Sequence, residues 1–401
     1  MHLTQKMSRA LKIGGATAGL AAIALGAVFG GRAAFANSVT PMAGHQIKVH
    51  PTIQRVSKDP NAVHFGCQDR PIDGSQGPKC YQPGQIQAAY GITPLLNKGI
   101  TGKGRTIVIV DAYQNPYIET DLSIFDSTFG LSAANFTHIA PYGVPAFDIN
   151  DDNMVGWAEE ITLDVLWAHA VAPDAHIVLA SARSNEDIDI YNTTKYVIDH
   201  NVGDVISQSF GEAETCVDPQ LMKQQHAMFE DAAARGITAF ASSGDSGASQ
   251  FNCDGTAAIL AASSPASDPL VTGVGGTTLN ADGTTGKYIG ETAWTEQLFG
   301  CNPPAVSGTD INCSGGGFST IYSRPTYQAG LQQMQKKERG VPDVAYNAGV
   351  NGGVLTHCAV CNLTIGLPAD YPTFFLFGGT SAGSPQWAAL AADADQLAGH
   401  D

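Results

Sequence analysis

Residues 156–180 read GWAEEITLDVLWAHAVAPDAHIVLA. From Gly156 to Ala170 the composition is that of a helix, and from His176 to Ala180 it becomes a short continuous apolar run of strand length. The same pattern recurs outward from this unit. Thr106 to Val110, Val205 to Ser209, Thr238 to Ala241 and Leu270 to Val274 read as further buried strands, with helices predicted over Asn185 to His200 and Pro219 to Arg235. Uninterrupted apolar strands alternating with helices imply an α/β fold: a mostly parallel sheet covered by helices on both faces, here in a single domain. Such a sheet places function at the carboxyl ends of its strands.

The bulk properties agree with one large folded body. The chain has 401 residues, 43% hydrophobic and 14% charged, with a net charge of −16. That acidic balance excludes nucleic acid as a partner, because phosphate binding needs Lys and Arg. Lys6, Arg9 and Lys12 precede an apolar, small-residue run from Ile13 to Gly31 and then Ala34-Phe35-Ala36. This is the pattern of a signal peptide over residues 1–36, and it predicts a secreted protein with no lasting membrane association. Residues 37–80 lack periodicity and read as a short extension or propeptide, with the main domain over 81–401. Eight cysteines suit an oxidising destination. Proximity suggests the pairs Cys67 with Cys80, Cys216 with Cys253, Cys301 with Cys313 and Cys358 with Cys361. With no second C-x-x-C, the last pair beside His357 reads as a disulfide rather than half a zinc site.

Three motifs carry chemistry. Phe377-Gly378-Gly379-Thr380-Ser381-Ala382-Gly383-Ser384-Pro385 runs from a strand through glycines into a helix, with Ser384 the expected N-cap and Pro385 the first helical residue. Alone this is a Gly-Ser turn before a capped helix; as the site of a nucleophile, Ser381 would need a base. Glu160 and Asp164 lie four apart, hence on one helix face, which would ordinarily be a solvated acidic face. Their neighbours Ile161, Leu163, Val165, Leu166 and Trp167 leave little of that helix polar, so both carboxyls are expected in a buried site. Ser242-Ser243-Gly244-Asp245-Ser246-Gly247 ends an apolar strand, where an Asp ordinarily closes a turn.

G-T-S-A-x-x-P, E-x-x-x-D in a helix ending A-x-A-P, and S-S-G-D-S-G occur together and in the order found in the sedolisin family. The chain resembles that family of serine-carboxyl peptidases from about Tyr81 onward. The resemblance implies a subtilisin-like fold and a secreted, acid-acting endopeptidase that cleaves proteins or peptides as a monomer. It also assigns roles: Ser381 nucleophile, Glu160 base, Asp164 orienting acid, Asp245 oxyanion donor. It marks Ser209 and Gly211, and Gly315, Gly316 and Gly317, as substrate-channel residues, where an extended peptide could add main-chain hydrogen bonds. The family binds calcium through an Asp-rich segment downstream of the nucleophile. Here the sequence stops twenty residues after Ser381, with Asp393, Asp395 and Asp401 in no matching arrangement. The expectation is therefore a domain truncated at its C-terminus with no identifiable cofactor. Two alternatives stay open: a subtilisin-type enzyme using Asp111 and one of the eleven histidines, although none sits in H-G-T-x-V, and a non-catalytic binding protein on the same scaffold.

Overall fold

The structure is a computed structural model that describes residues 45–49, 51–56, 64–296, 313–331 and 336–399. The signal-peptide reading falls outside the described residues. All five expected strands form, within one eight-stranded sheet. Its strands are β1 Thr106–Ala112, β2 Asn135–Ile139, β3 His176–Ala182, β4 Val205–Gln208, β5 Thr238–Ser242, β6 Val271–Ala281, β7 Tyr288–Ala293 and β8 Val344–Asn347. They lie in the order β7-β6-β5-β4-β1-β3-β2, with β8 also beside β6. Every pairing is parallel except β6 with β7.

Alternation along β1 explains why both faces are covered. Ile107 and Ile109 enter one core with Ile161, Val165 and Ala388, while Val108 and Val110 enter the other with Ile190, Val197 and Phe229. Neighbouring side chains on a strand point to opposite faces, so a strand buried on both sides must be apolar throughout. The longer helices are α1 Ile118–Phe129, α2 Asp152–Val171, α3 Asp187–Asp199, α4 Pro219–Ala234 and α5 Gly383–Ala398. Asp151 caps α2, its side chain accepting from the Asn153 and Met154 amides at 2.9 and 3.2 Å.

A second sheet of four strands holds Ile53–Val56, Phe374–Phe377, Gly353–His357 and Cys80–Tyr81 in that order. The strand leading to Ser381 therefore belongs to this sheet, not to the main one. Residues before 81 take part in it as well, and one compact unit runs from Ala43 onward. Disulfides join Cys67 to Cys80, Cys216 to Cys253 and Cys358 to Cys361. Cys313 is also disulfide-bonded; Cys301, its expected partner, lies outside the described residues. One expectation at the nucleophile is corrected. A 3-10 turn, Thr380–Ala382, precedes α5, which starts at Gly383. Ser384 is consequently inside the helix, where its buried hydroxyl hydrogen-bonds to that of Ser207 at 2.9 Å instead of capping.

Candidate active site

Because β1, β4 and β5 are parallel, the residues at or just past their carboxyl ends share one edge: Asp111, Ser209, and the Ser243–Asp245 loop. Helix α2 brings Glu160 and Asp164 to the same place. Neither is on a solvated face; they are 1% and 0% exposed. The Thr380–Ala382 turn supplies Ser381 from the opposite side. Its Oγ donates to the Ser209 carbonyl at 3.3 Å, and the Ser209 Oγ donates back to the Ser381 carbonyl at 3.3 Å.

Few donors reach the three carboxyls. Both oxygens of Asp111, both of Asp164 and Oε1 of Glu160 are shielded from solvent without a hydrogen-bond partner. A buried carboxylate without donors is costly, so such groups hold protons to higher pH. Burial raises the Glu160 pKa well above the carboxylate range, with the Asp164 charge adding to it and a polar contact from Ser381 opposing it. Burial and then the Asp111 charge do the same at Asp164, against a polar contact from Ser209 that is too long or bent to count as a hydrogen bond. Burial and then Glu160 do so at Asp111. The three carboxyls thus form a coupled group that holds protons above the ordinary carboxylate range.

Asp245 is held differently. Its Oδ1 accepts from the Thr380 amide and the Thr380 hydroxyl, both at 2.8 Å, and the Gly244 amide donates to that same hydroxyl at 3.1 Å. Burial raises the Asp245 pKa despite the opposing Thr380 hydrogen bonds. Because both donors bond to Oδ1, Oδ2 is left as the atom to carry a proton. Gly379 makes this approach possible: its φ is 97°, and a Cβ there would lie 2.7 Å from Asp245 Oδ2.

The expected channel residues divide. Ser209 touches Ser381 directly. Gly315 packs against the backbone of Ser243 and Gly244, with its amide donating to the Gly244 carbonyl at 2.6 Å and its carbonyl accepting from Ser243 Oγ at 2.8 Å. Gly316 donates to the Gly247 carbonyl at 3.1 Å, so the glycine run braces the Asp245 loop. Gly317 lines a cavity of about 730 Å³ with Leu270, Phe318, Tyr327 and Pro342. Gly211 packs its α-carbon against Ser263 and Ser264.

Sequence reasoning placed Asp111 only in the subtilisin alternative; the structure puts it in the carboxyl cluster. The signal was a lone acid ending an apolar strand. The eight described histidines are engaged elsewhere: His45 with Glu212, His64 with Asp69, His138 with Ser181, His169 with Asp126, His176 with Thr137, His200 with Tyr196, His226 with Asp268 and His357 with Asp121. Of the acids set against a calcium site, Asp393 is buried in α5 with its pKa pushed up to about 7 by burial, Asp395 lies on the same helix, and Asp401 is outside the described residues.

A serine beside a buried carboxyl cluster, at the carboxyl edge of a parallel sheet, defines the serine-carboxyl class of hydrolase scaffold. No family model matches the chain. Individual proteins do. Kumamolisin of a Bacillus species is 31% identical over 81% of the chain and 54% of its own length. Sedolisin of a Pseudomonas species is 29% identical over 67% of the chain and 43% of its own. The solved Pseudomonas sedolisin, described as a serine-carboxyl proteinase complexed with two molecules of pseudo-iodotyrostatin, superposes with a TM-score of 0.66 at 25% identity, covering 80% of this chain and 82% of that one. The chain spans about half or less of the curated relatives' lengths. Its similarity over most of its length is to members of the sedolisin family.

Proposed function

We propose that the protein is a secreted endopeptidase that hydrolyses peptide bonds of proteins in acid, with Ser381 as nucleophile and Glu160 as its base. The observation that carries this is the buried Glu160/Asp164/Asp111 cluster next to Ser381, in a site where no described histidine bonds to the nucleophile. As the Ser381 hydroxyl attacks a carbonyl, Glu160 takes its proton and later returns it to the leaving amine. Asp164 holds the cluster's shared proton close to Glu160. Asp245 donates to the developing oxyanion from Oδ2, which requires it to be protonated and ties activity to acid. In this reading Ser209 and the Gly315–Gly317 run border an extended peptide, and Gly211 lies beside it.

Calcium, expected of the family, is given no ligand set by Asp393 and Asp395, and no step of this mechanism uses it. Among the described residues no helix is long and apolar enough to cross a membrane. The test is digestion of denatured casein by the wild type and by Ser381→Ala, matched for secretion and circular dichroism. Loss of hydrolysis in the variant supports the assignment, and equal digestion by both rejects it.

A further inference from the structure

Away from the catalytic cluster, residues 45–49 form a strap over the domain. The Ile47 amide donates to the Asn185 carbonyl at 2.8 Å, and Asn185 Nδ2 donates to the Ile47 carbonyl at 2.8 Å. The Asp187 amide donates to the His45 carbonyl at 3.0 Å. The Val49 carbonyl packs on Gly156 of α2, where a Cβ would lie only 2.8 Å away. These contacts fix where His45 stands. Its Nε2 is 2.6 Å from the Cys253 carbonyl. A carbonyl can only accept, so Nε2 carries the hydrogen, which leaves Nδ1 as the ligand atom whenever the ring is neutral. Nδ1 faces Asp187 and Glu212, and all three ligand atoms lie within 4.8 Å of one another. Asp187 and Glu212 are 5% and 9% exposed. His45 Nδ1 and Glu212 Oε2 form a close ion pair when the ring is protonated, and these two atoms and Asp187 Oδ1 are shielded from solvent with no hydrogen-bond partner outside the group.

We propose that His45, Asp187 and Glu212 form a binding site for a divalent transition metal, zinc by preference, which clamps the N-terminal strap to the domain. One imidazole nitrogen and two carboxylate oxygens suit zinc or cobalt; calcium takes six to eight oxygens, and magnesium an octahedron of oxygens. The second shell is also in place, because a metal-bound imidazole characteristically donates its other N–H to a backbone carbonyl. Here that carbonyl belongs to Cys253, itself anchored by the disulfide to Cys216. The site joins three distant segments: the strap, the start of α3, and the residue after Gly211.

The experiment uses the full chain carrying Ser381→Ala, which keeps the strap attached even if the protein processes itself. Metal-free protein is titrated calorimetrically with zinc alone at neutral pH, and the cobalt form is examined by visible absorption. Expected are one equivalent of zinc bound, hydrogen-exchange protection of residues 45–49 on binding, and affinity at least about tenfold weaker in His45→Ala and in the near-isosteric Asp187→Asn. Cobalt bands should be present in the parent and lost in both variants. Failure of the parent chain to bind zinc saturably would overturn the proposal. So would equal affinity in parent and both variants, which would place the metal at another histidine.

Discussion

Replacing Asp245 by Asn and by Ala separates its observed role as an acceptor for Thr380 from its proposed role as a donor to the oxyanion. Oδ1 takes both Thr380 hydrogen bonds, so the proposed donor proton is assigned to Oδ2. Burial raises the Asp245 pKa above the ordinary value of about 3.9. The donor is therefore fully present below that value and is lost as pH rises through the raised one. Asn keeps the Oδ1 acceptor and puts an amide N–H where Oδ2 stood, at every pH. Asp245→Asn should stay within about tenfold of the wild-type maximum, about 1.4 kcal/mol, and should extend the alkaline limb of kcat/KM. Asp245→Ala loses the donor outright, a fall on the order of 10²–10³, or about 2.7–4 kcal/mol, at every pH. The assay is cleavage of an internally quenched peptide from about pH 3 to about pH 8, which spans carboxylate and imidazole titration. Melting curves over the same range keep unfolding apart from titration. Identical alkaline limbs for wild type and Asp245→Asn would refute the reasoning.

Two further outcomes follow from the site. Asp111 is a buried acid whose pKa is raised in the folded state, so its stabilising contribution is complete below the ordinary carboxylate pKa and is lost as pH rises through the raised one. Asp111→Asn should therefore raise Tm at neutral pH and leave it nearly unchanged at about pH 3, whereas parallel Tm curves would show that Asp111 does not titrate as described. Gly379→Ala places a Cβ 2.7 Å from Asp245 Oδ2 at φ 97° and ψ 160°. It should cost roughly 1–3 kcal/mol in denaturant melts and lower kcat more than it changes KM, and wild-type stability and kcat would contradict that.

Much of this was legible from local pattern. The apolar runs gave the parallel strands, and Glu160 and Asp164 four apart on an apolar helix gave a buried pair, because periodicity and burial are set by nearby residues. What depends on distant pairing was not legible. Nothing near Asp111 says that β1 ends beside α2, and nothing near Phe374–Phe377 says that its strand pairs with Ile53–Val56 and not with the main sheet. Ser384 read as an N-cap because Ser before Pro is a strong local signal, but a hydroxyl of Ser207, 177 positions away, claims its side chain. Nothing near Gly211 says that Ser263 and Ser264 pack against it, beside the pairing of Ser264 with Glu212. The His45, Asp187 and Glu212 grouping draws on three segments and leaves no spacing signature.

The claim that a carboxyl, not an imidazole, activates Ser381 is tested most directly by kcat/KM of Glu160→Gln at the acidic optimum proposed for the wild type. Removing a general base should lower it on the order of 10²–10⁴ relative to wild type, with the fold intact by circular dichroism. Glu160→Gln turnover equal to wild type, with an optimum near neutral pH and imidazole-like titration, would contradict the account.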